Sequence, residues 1–377
     1  MNKDNKLNHI CRGIMKDCLN CDLCVSECQF LQRIEEDPAG IARREPSVEE
    51  AYSCSLCGLC EQVCPLHLSL CRMFGETRNN AVENDFISIN DYRYMFPDRK
   101  NNLMNSYREL SGVDYTDLNP DREAAAAFFP GCTLLTYFPQ LTTAIFNHLS
   151  QEYKKLTLIT DCCGIPFFQL GLQDRGNDYV HYVKTKLMDL KVKKLITACP
   201  NCYYQLQPLL EDTGITMVTI YEALENSKIF TKPRNNNKES NITVHDSCPD
   251  RSNGLFAGQA RKALLRKGFS IVEMVHNRNT TLCCGSGGQV SHFQPELAEK
   301  LVTIRLQEAE NTGAPVLAAY CLACVLNFVK VPGKMNIQHV LNLLLETDED
   351  FSGLKEKSKM PFAGPKGEEY WEKIMAE

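Results

Sequence analysis

Leu282-Cys283-Cys284-Gly285-Ser286-Gly287-Gly288 is the stretch of this sequence that most restricts the fold. The Cα atoms of adjacent residues lie about 3.8 Å apart across a trans peptide, whereas those of a disulfide usually lie roughly 4.4–6.8 Å apart. A bond between Cys283 and Cys284 would therefore strain the chain. Two adjacent thiolates, followed by glycines that leave the backbone open, are better suited to hold one inorganic group from two directions.

The same pattern occurs earlier, at Asp161-Cys162-Cys163-Gly164, as part of a larger internal repeat. Each half of the repeat carries five cysteines in one order: a single cysteine, an adjacent pair, and a C-x2-C pair. The first half contains Cys132, Cys162, Cys163, Cys199 and Cys202, and the second contains Cys248, Cys283, Cys284, Cys321 and Cys324.

Short apolar stretches with β-forming residues precede these cysteines. The predicted strands cover residues 125–129, 156–160, 195–198, 242–245, 270–275 and 316–319. Amphipathic helical stretches lie between them, with Val180, Val183, Leu187 and Leu190 in the first half and Leu297, Leu301 and Ile304 in the second. This alternation predicts an α/β fold with parallel sheets covered by helices. Ligands of such sheets bind beyond the carboxyl ends of the strands, where we expect the five thiols of each half to meet.

The first 90 residues contain two runs of the form C-x2-C-x2-C-x3-C, which is the spacing of two-cluster iron–sulfur proteins. In those proteins the fourth cysteine of each run ligates the other cluster. We therefore expect one cubane [4Fe-4S] cluster on Cys18, Cys21, Cys24 and Cys64, and a second on Cys54, Cys57, Cys60 and Cys28. A pair of zinc sites is the alternative, although zinc ligands usually come in separated pairs. A helix start at residues 46–50 predicts a helical ferredoxin-type domain.

Five thiols per half of the repeat are one more than a cubane cluster or a zinc ion needs. A larger or open cluster with bridging thiolates uses all five, and a four-cysteine zinc site with a spare thiol is the alternative. Cys11 and Cys71 fall outside every set, and we interpret them as buried or incidental thiols.

Composition narrows the class of protein. The chain has 377 residues, a formal charge of −6 and twenty cysteines, most of them in short-spaced groups, which favours metal over disulfides. We predict a cytoplasmic protein without a signal peptide, a transmembrane segment or a nucleic-acid partner. The glycines after Cys284 do not follow the G-x-G-x-x-G spacing of dinucleotide sites, so we expect an external electron donor.

The predicted domains are a helical ferredoxin-type domain at 1–90, a connector at 91–122, cysteine-rich domains at 123–230 and 240–347, and a tail at 348–377. The connector is expected to pack across the first domain and to carry no chemistry. The tail is either a docking segment or an ordinary terminus. His245 and Asp246, beside Cys248, either orient or protonate a ligand or cap the strand end, and His67 is predicted at the surface.

The two repeats resemble the cysteine-rich CCG domains of heterodisulfide reductase catalytic subunits. The whole chain resembles their fused form, in which a two-cluster ferredoxin domain precedes two CCG domains. It is also similar to the iron–sulfur subunits of anaerobic glycerol-3-phosphate dehydrogenase, glycolate oxidase and sulfite-reduction membrane complexes. Two departures from that family are a shorter gap between Cys132 and Cys162 and a proline, Pro249, where many relatives carry histidine.

The resemblance implies that each five-cysteine set holds a noncubane [4Fe-4S] cluster, with Cys163 and Cys284 taking part in the chemistry as cluster ligands. Electrons would pass from the cubane to the noncubane clusters to cleave a disulfide into two thiols, or in the reverse direction. The alternative is a non-catalytic subunit that relays electrons between a dehydrogenase and a quinone- or flavin-linked partner. In either case the partner would be a flavoprotein, a dehydrogenase or a membrane cytochrome that could hold the chain at the inner face of the membrane.

Overall fold

The computed structural model describes residues 4–119, 123–230 and 240–376. The polar residues 226–240, which include Pro233 and Asn235-Asn236-Asn237, predict a loop between the two halves, and residues 231–239 of it lie outside the described residues. The described residues before 120 fold into helices: α1 Asp4–Asp17, α2 Leu23–Ser26, α3 Gln29–Ile34, α4 Pro38–Arg44, α5 Val48–Ser53, α6 Leu59–Val63, α7 Leu70–Glu83 and α8 Leu103–Leu110, with 3-10 turns at Ile89–Met95 and Thr116–Leu118. This arrangement confirms the predicted helical N-terminal region.

Helix α5 begins where the sequence predicts a helix start. The backbone N–H of Glu50 donates to Ser47 Oγ at 3.2 Å, and the backbone N–H of Ser47 donates to Glu50 Oε2 at 2.8 Å. This reciprocal capping satisfies two backbone donors that the helix itself leaves without partners. The helix ends at Ser53, directly before the second cysteine run.

The first half of the repeat forms one four-stranded sheet with helices on both faces. Its elements are β1 Ala126–Phe129, α9 Cys132–Tyr137, α10 Pro139–Glu152, β2 Leu156–Leu158, α11 Ile165–Leu170, α12 Gln173–Asp189, β3 Lys194–Thr197, α13 Pro200–Leu210, β4 Thr216–Thr219 and α14 Ile220–Ala223. A short 3-10 turn, Lys228–Phe230, follows.

The second half repeats this architecture. Its elements are β5 Asn241–His245, α15 Leu255–Arg266, β6 Ser270–Ile271, α16 Val290–Phe293, α17 Pro295–Glu310, β7 Val316–Ala319, α18 Leu322–Phe328, β8 Asn336–His339 and α19 Val340–Leu345, with 3-10 turns at Cys248–Asp250, Arg278–Thr280 and Gly287–Gln289. The tail adds α20 Leu354–Lys357, a 3-10 turn at Met360–Phe362 and α21 Gly364–Met375.

Both sheets are parallel and have the same topology. The strand orders are β2-β1-β3-β4 and β6-β5-β7-β8, so β1 and β5 occupy equivalent central positions. Phe128 pairs with Ile196 in the first sheet and Val244 pairs with Ala318 in the second, and all four side chains are buried. The α/β prediction is thus confirmed, and the carboxyl ends of the strands within each sheet point to one edge.

The strand prediction is inaccurate at the sheet edges. Residues 270–275 are predicted to form one strand, but β6 ends at Ile271, and Val275 is 83% exposed. The edge strands β4 and β8 are absent from the sequence prediction because their first residues are polar and exposed. An edge strand that is partly solvated lacks the apolar run by which a central parallel strand is identified.

The connector packs against both halves of the repeat, and its Tyr92 also lies near Tyr52 of the N-terminal region. Phe96 packs against Phe167 of α11, with ring centroids 5.6 Å apart, and Tyr92 stacks on Phe293 of α16 at 4.5 Å. Both pairs bury aromatic area between segments distant in sequence. The connector therefore joins the two α/β units to each other.

The tail is ordered along the connector. Arg93 Nη1 donates to the carbonyl oxygen of Met375 at 2.9 Å, and Arg99 Nη1 donates to that of Ile374, also at 2.9 Å. These arginines satisfy carbonyls at the carboxyl end of α21, where cations are favoured. The tail is thus ordered against the connector, and its role as a docking segment stays a prediction.

Arg78 of α7 connects all three parts of the chain and is completely buried. Its guanidinium donates twice to the carbonyl oxygen of Ala51 and once to that of Cys54, in the N-terminal region. It also donates to Gln169 O of the first half at 2.6 Å and to Gly288 O of the second at 2.9 Å. All five N–H donors of the side chain are thereby used, which is the condition for burying a guanidinium.

The glycines of the opening stretch let the N-terminal region approach the second half. Gly288 has φ +59°, and a Cβ built on it would lie 2.4 Å from the carbonyl oxygen of Cys54. A Cβ on Gly287 would lie 2.7 Å from Ser55 O. The sequence suggests that these glycines leave space for an inorganic group. At Gly287 and Gly288, however, that space is taken by the backbone of Cys54 and Ser55 in the second cysteine run.

None of the helices in the described ranges combines the length and apolar character that a membrane span requires.

We expect Arg78→Gln to lower the stability of the cluster-loaded chain by about 3 kcal/mol, because several buried carbonyls lose a charged donor. The midpoint of urea unfolding under anaerobic conditions measures this change. Arg44→Gln is the matched control, since Arg44 is exposed and bound to Glu36 and Glu50, and we expect it to cost less than about 1 kcal/mol. Equal midpoints for the two variants would show that Arg78 does not hold the parts together.

Candidate metal centres

The carboxyl edge of the second sheet collects the five cysteines of that half. Cys248 follows β5, Cys283 and Cys284 precede α16, Cys321 is the N-cap of α18, and Cys324 lies in its first turn. The Sγ atoms of Cys284 and Cys324 are 3.1 Å apart. Hydrogen bonds between thiols also join Cys248 to Cys283, Cys283 to Cys284, and Cys321 to Cys324. The five side chains therefore form one connected group.

The first sheet gathers its five cysteines in the same way. Cys132 begins α9, Cys162 and Cys163 precede α11, and Cys199 is the N-cap of α13, which contains Cys202. Hydrogen bonds between thiols join Cys132 to Cys162, Cys162 to Cys163, Cys163 to Cys202, and Cys199 to Cys202. Both sets thus come together at the strand ends, where the sequence prediction places them.

Close thiol neighbours lower the pKa of one member of each set. The hydrogen bonds with Cys162 and then Cys202 lower the pKa of Cys163 to about 6. The hydrogen bonds with Cys283 and then Cys324 hold the pKa of Cys284 well below its ordinary value. The thiolate is the form that binds metal, so each set offers a ligand that is ionised near neutral pH.

Cysteines of the two runs of the N-terminal region lie close to one another, and Cys60 is among the residues that line the cavity at the first run. Cys18, Cys21, Cys24 and Cys64 line one small cavity together. Burial raises the pKa of Cys24 to about 11, and the charges of Cys18, Cys64 and Cys21 contribute to this shift. Burial likewise raises the pKa of Cys28 to about 12, and the neighbours that contribute are Cys57 and Cys54 of the other run. These neighbours are compatible with the exchange of fourth cysteines expected from the spacing, and the ligand sets themselves stay predictions.

Cys71 is a thiol whose position the sequence does not reveal. It lies on α7 and is hydrogen-bonded to both Cys54 and Cys60 of the second run. Cys11, by contrast, is buried among apolar side chains of the N-terminal core and is only 2% exposed. The fold therefore brings the sulfur of Cys71 to the site of the second run, although Cys71 is not part of the C-x2-C-x2-C-x3-C motif.

The cysteine sets adjoin one another. Cys57 of the second run is hydrogen-bonded to Cys283, and Arg251 Nε donates to the carbonyl oxygen of Cys57 at 3.0 Å. Cys199 of the first half is hydrogen-bonded to Cys321 of the second. A continuous series of thiols therefore runs from the helical region through the second half to the first.

A cavity of about 950 Å³ opens between the two halves of the repeat. Cysteines of both five-membered sets line it, as does Cys57. Its wall also includes Arg108 of α8, together with Asn105, Lys330 and His292. Arg108 reaches the cavity because α8 packs on α9, a long-range contact that no local sequence signal marks. The connector, expected to carry no chemistry, thus supplies part of the cavity wall.

The structure shows how Asp246 and His245, two residues near Cys248, are held. Asp246 accepts hydrogen bonds from Arg261 at 2.6 and 2.8 Å and from the backbone N–H of Arg278 at 2.6 Å, so it fixes the loop after β5. Burial, followed by the charge of Arg305, lowers the pKa of His245 to about 3, and its ring is therefore neutral. His67 is exposed, in agreement with its predicted surface position.

These donor sets fit iron–sulfur clusters. Thiolates are the ligands of such clusters, and each cysteine run supplies four of them in the two-cluster arrangement. Each five-cysteine set is more than a single zinc ion could coordinate. The four sets would hold the clusters, which supply one-electron transfer when bound.

Comparison with known protein families agrees with this geometry. Residues 17–69 match the 4Fe-4S dicluster domain family. Residues 126–207 and 242–329 each match the cysteine-rich domain family CCG. These three matches together span more than half of the chain and confirm the predicted order of domain types; the predicted domain boundaries themselves stay predictions.

Curated proteins of related sequence include redox proteins of archaea and bacteria. The chain is 24% identical over 330 residues to one subunit of the dihydromethanophenazine:CoB--CoM heterodisulfide reductase of Methanosarcina mazei, covering 82% of this chain and 80% of that protein. It is 24% identical over 367 residues to one subunit of the fumarate reductase (CoM/CoB) of Methanothermobacter marburgensis, covering 88% and 72%. A shorter match, 29% over 112 residues, joins it to lactate utilization protein A 1 of Bacillus mycoides, covering 28% and 43%.

We expect Cys71→Ser to leave the iron content of the anaerobically purified chain unchanged, because four thiolates already saturate a cubane cluster. Cys60→Ser, which removes a predicted ligand at the same site, is expected to lose about four irons or convert the site to a three-iron form. Iron analysis combined with Mössbauer spectroscopy measures both. A loss of iron in Cys71→Ser equal to that in Cys60→Ser would make Cys71 a ligand.

Proposed function

This chain belongs to the iron–sulfur proteins that join a 4Fe-4S dicluster domain to two cysteine-rich domains, and we propose that it is an oxidoreductase subunit that reduces a small disulfide to two thiols or catalyses the reverse oxidation. Reduction consumes two electrons and two protons per disulfide. The dicluster region would hold two cubane [4Fe-4S] clusters, and each five-cysteine set would hold one noncubane [4Fe-4S] cluster, with Cys163 and Cys284 among the ligands.

The observation that carries the proposal is the shared cavity. Nine of the ten cysteines in the two sets, all except Cys283, line one space of about 950 Å³, and Cys199 of one set is hydrogen-bonded to Cys321 of the other. A disulfide bound there would present each of its sulfur atoms to a different set. Two cysteine sets that face one shared cavity suit a substrate that bridges them.

The order of the cysteine sets supports a direction of electron entry. Cys21 of the first run is exposed, whereas Cys54 and Cys60 of the second run are buried. Cys57 then adjoins Cys283 of the second half. Electrons from a flavoprotein, a dehydrogenase or a membrane cytochrome would enter at the exposed run and pass inward along this series.

Side chains of the chain itself would select and orient the substrate. Arg108 and Lys330 place two cationic side chains in the cavity wall, and Asn105 and His292 add hydrogen-bonding groups. Arg108 is held by a 2.5 Å hydrogen bond from its Nη2 to Asn105 Oδ1. These groups would favour a thiol or disulfide that carries negative charge.

A relay without a substrate of its own is the second candidate function. The specific observation in its favour is the exposure of Cys21, which suits electron exchange with a partner protein. In that case the cavity would receive a segment or cofactor of a second partner, and no small thiol would bind.

Anaerobic purification followed by metal analysis and EPR spectroscopy separates these candidates. Four clusters correspond to about sixteen irons with matching acid-labile sulfide. Addition of thiols to the oxidised protein should produce a paramagnetic signal that depends on the thiol. Full iron content without such a signal for a broad set of thiols would favour the relay, and zinc without sulfide would contradict both candidates.

We expect Cys284→Ser to abolish the cluster of the second half and to spare the two cubane clusters, because its sulfur belongs only to the second five-membered set. The iron content should fall by about four, and the cubane EPR signals should persist. Cys11→Ser is the matched control, since Cys11 is a buried cysteine outside every set. Loss of all clusters in Cys284→Ser would contradict the modular assignment.

A further inference from the structure

His245 marks a difference between the two five-cysteine sets. It is the last residue of β5 and stands three positions before Cys248. The residue in the corresponding place of the first half is Phe129, the last residue of β1 and three positions before Cys132. Both side chains are fully buried, so the repeat has one polar and one apolar ring at equivalent strand ends.

The hydrogen bonds of His245 fix its tautomer. Arg305 Nε lies 3.0 Å from His245 Nδ1, and a guanidinium nitrogen can only donate. Nδ1 must therefore accept, and in the neutral ring the proton resides on Nε2. The ring presents one N–H donor, and its position on the ring is determined.

Arg305 is itself held rigidly, which fixes the plane of the imidazole. Its Nη1 donates to Glu308 Oε2 at 2.5 Å and to the carbonyl oxygen of His276 at 2.8 Å. The ring of Phe328 lies perpendicular to the imidazole, with centroids 4.8 Å apart. Because Arg305 and Phe328 hold the imidazole of His245, the ring has little freedom to rotate toward another partner.

Two cysteines of the second set lie close to the imidazole ring. A ring nitrogen of His245 and the Sγ atoms of Cys284 and Cys324 all lie within 4.8 Å of one another. Nδ1 is already engaged, whereas Nε2 is buried and has no hydrogen-bond partner among the described residues. A buried N–H without a partner is costly, so a nearby sulfur acceptor would remove that cost.

We propose that the Nε2–H of His245 donates a hydrogen bond to a cysteine sulfur at the second five-cysteine set and makes the cluster bound there easier to reduce than the cluster of the first half. This inference rests on the proposed function, because it requires a cluster at each set. A donor to a ligand sulfur stabilises the more electron-rich reduced state, and hydrogen bonds to sulfur are among the factors that set cluster potentials. His245 is a positioning residue here and touches no substrate.

The position of His245 at the second set predicts the order in which the two clusters are reduced. The second set is the one that adjoins Cys57 of the N-terminal region. The cluster closest to the cubane pair would therefore accept the first electron, and the first set, with Phe129 in place of the histidine, would be reduced at a lower potential. The two otherwise similar centres would thus be filled in a defined order.

His245→Phe tests this by giving the second half the residue of the first. Redox titrations of the cluster-loaded chain, followed by EPR, should show that the second cluster has a lower reduction potential. At a fixed applied potential, its reduced-to-oxidised ratio should fall at least tenfold, which corresponds to about 59 mV for one electron. The potential of the first cluster should not change. Thr243→Val, on the same strand and buried, is the control. Unchanged potentials in His245→Phe with full iron content would overturn the proposal.

A second measurement needs no substitution at His245. In wild-type protein labelled with ¹⁵N-histidine, pulsed EPR should detect coupling of one histidine nitrogen to the second cluster. The coupling should survive in His339→Asn, since both ring nitrogens of His339 are engaged by backbone groups, Nδ1 by the N–H of Leu341 at 3.2 Å and the other nitrogen by Tyr320. A four-cluster protein without this coupling would overturn this inference alone, whereas a protein without clusters would overturn the proposed function.

Discussion

The buried guanidinium of Arg78 is the interaction on which the arrangement of the cysteine sets depends. Its five hydrogen bonds end on carbonyl oxygens of the N-terminal region, the first half and the second half of the repeat. One of these carbonyls belongs to Cys54, itself a predicted cluster ligand. Because a buried cation without its full set of acceptors is strongly unfavourable, the three parts are constrained to one relative position. That position brings Cys57 against Cys283.

Parallel sheets account for the remainder of the site. In each half, the loops after three neighbouring strands leave at one edge, and cysteines in those loops meet although they are far apart in sequence. Cys199 and Cys321 both stand at helix N-termini, where the backbone dipoles favour a negative sulfur. Since the two edges face one cavity, the duplication of one motif places two cysteine sets around a single space.

The sequence predicts what is encoded locally. The C-x2-C-x2-C-x3-C runs, the duplicated cysteine pairs and the central strands, such as β7, follow from spacing and from apolar runs. It fails where a role depends on packing between distant segments. Gly287 and Gly288 make room for the backbone of Cys54 and Ser55, Arg108 enters the cavity from the connector, and Cys71 joins the second run from α7. The edge strands β4 and β8 are also missed, because their first residues are polar and exposed and the strands lack a continuous apolar run.

The central claim is that four iron–sulfur clusters lie in series, with the last two facing each other across the cavity. Anomalous diffraction at the iron absorption edge, from crystals grown without oxygen, tests it most directly. The account predicts four separate groups of iron atoms: one at the exposed run with Cys21, one at the buried run with Cys54, and one at each five-cysteine set. A single metal atom at a five-cysteine set, with scattering that rises at the zinc edge instead, would contradict it.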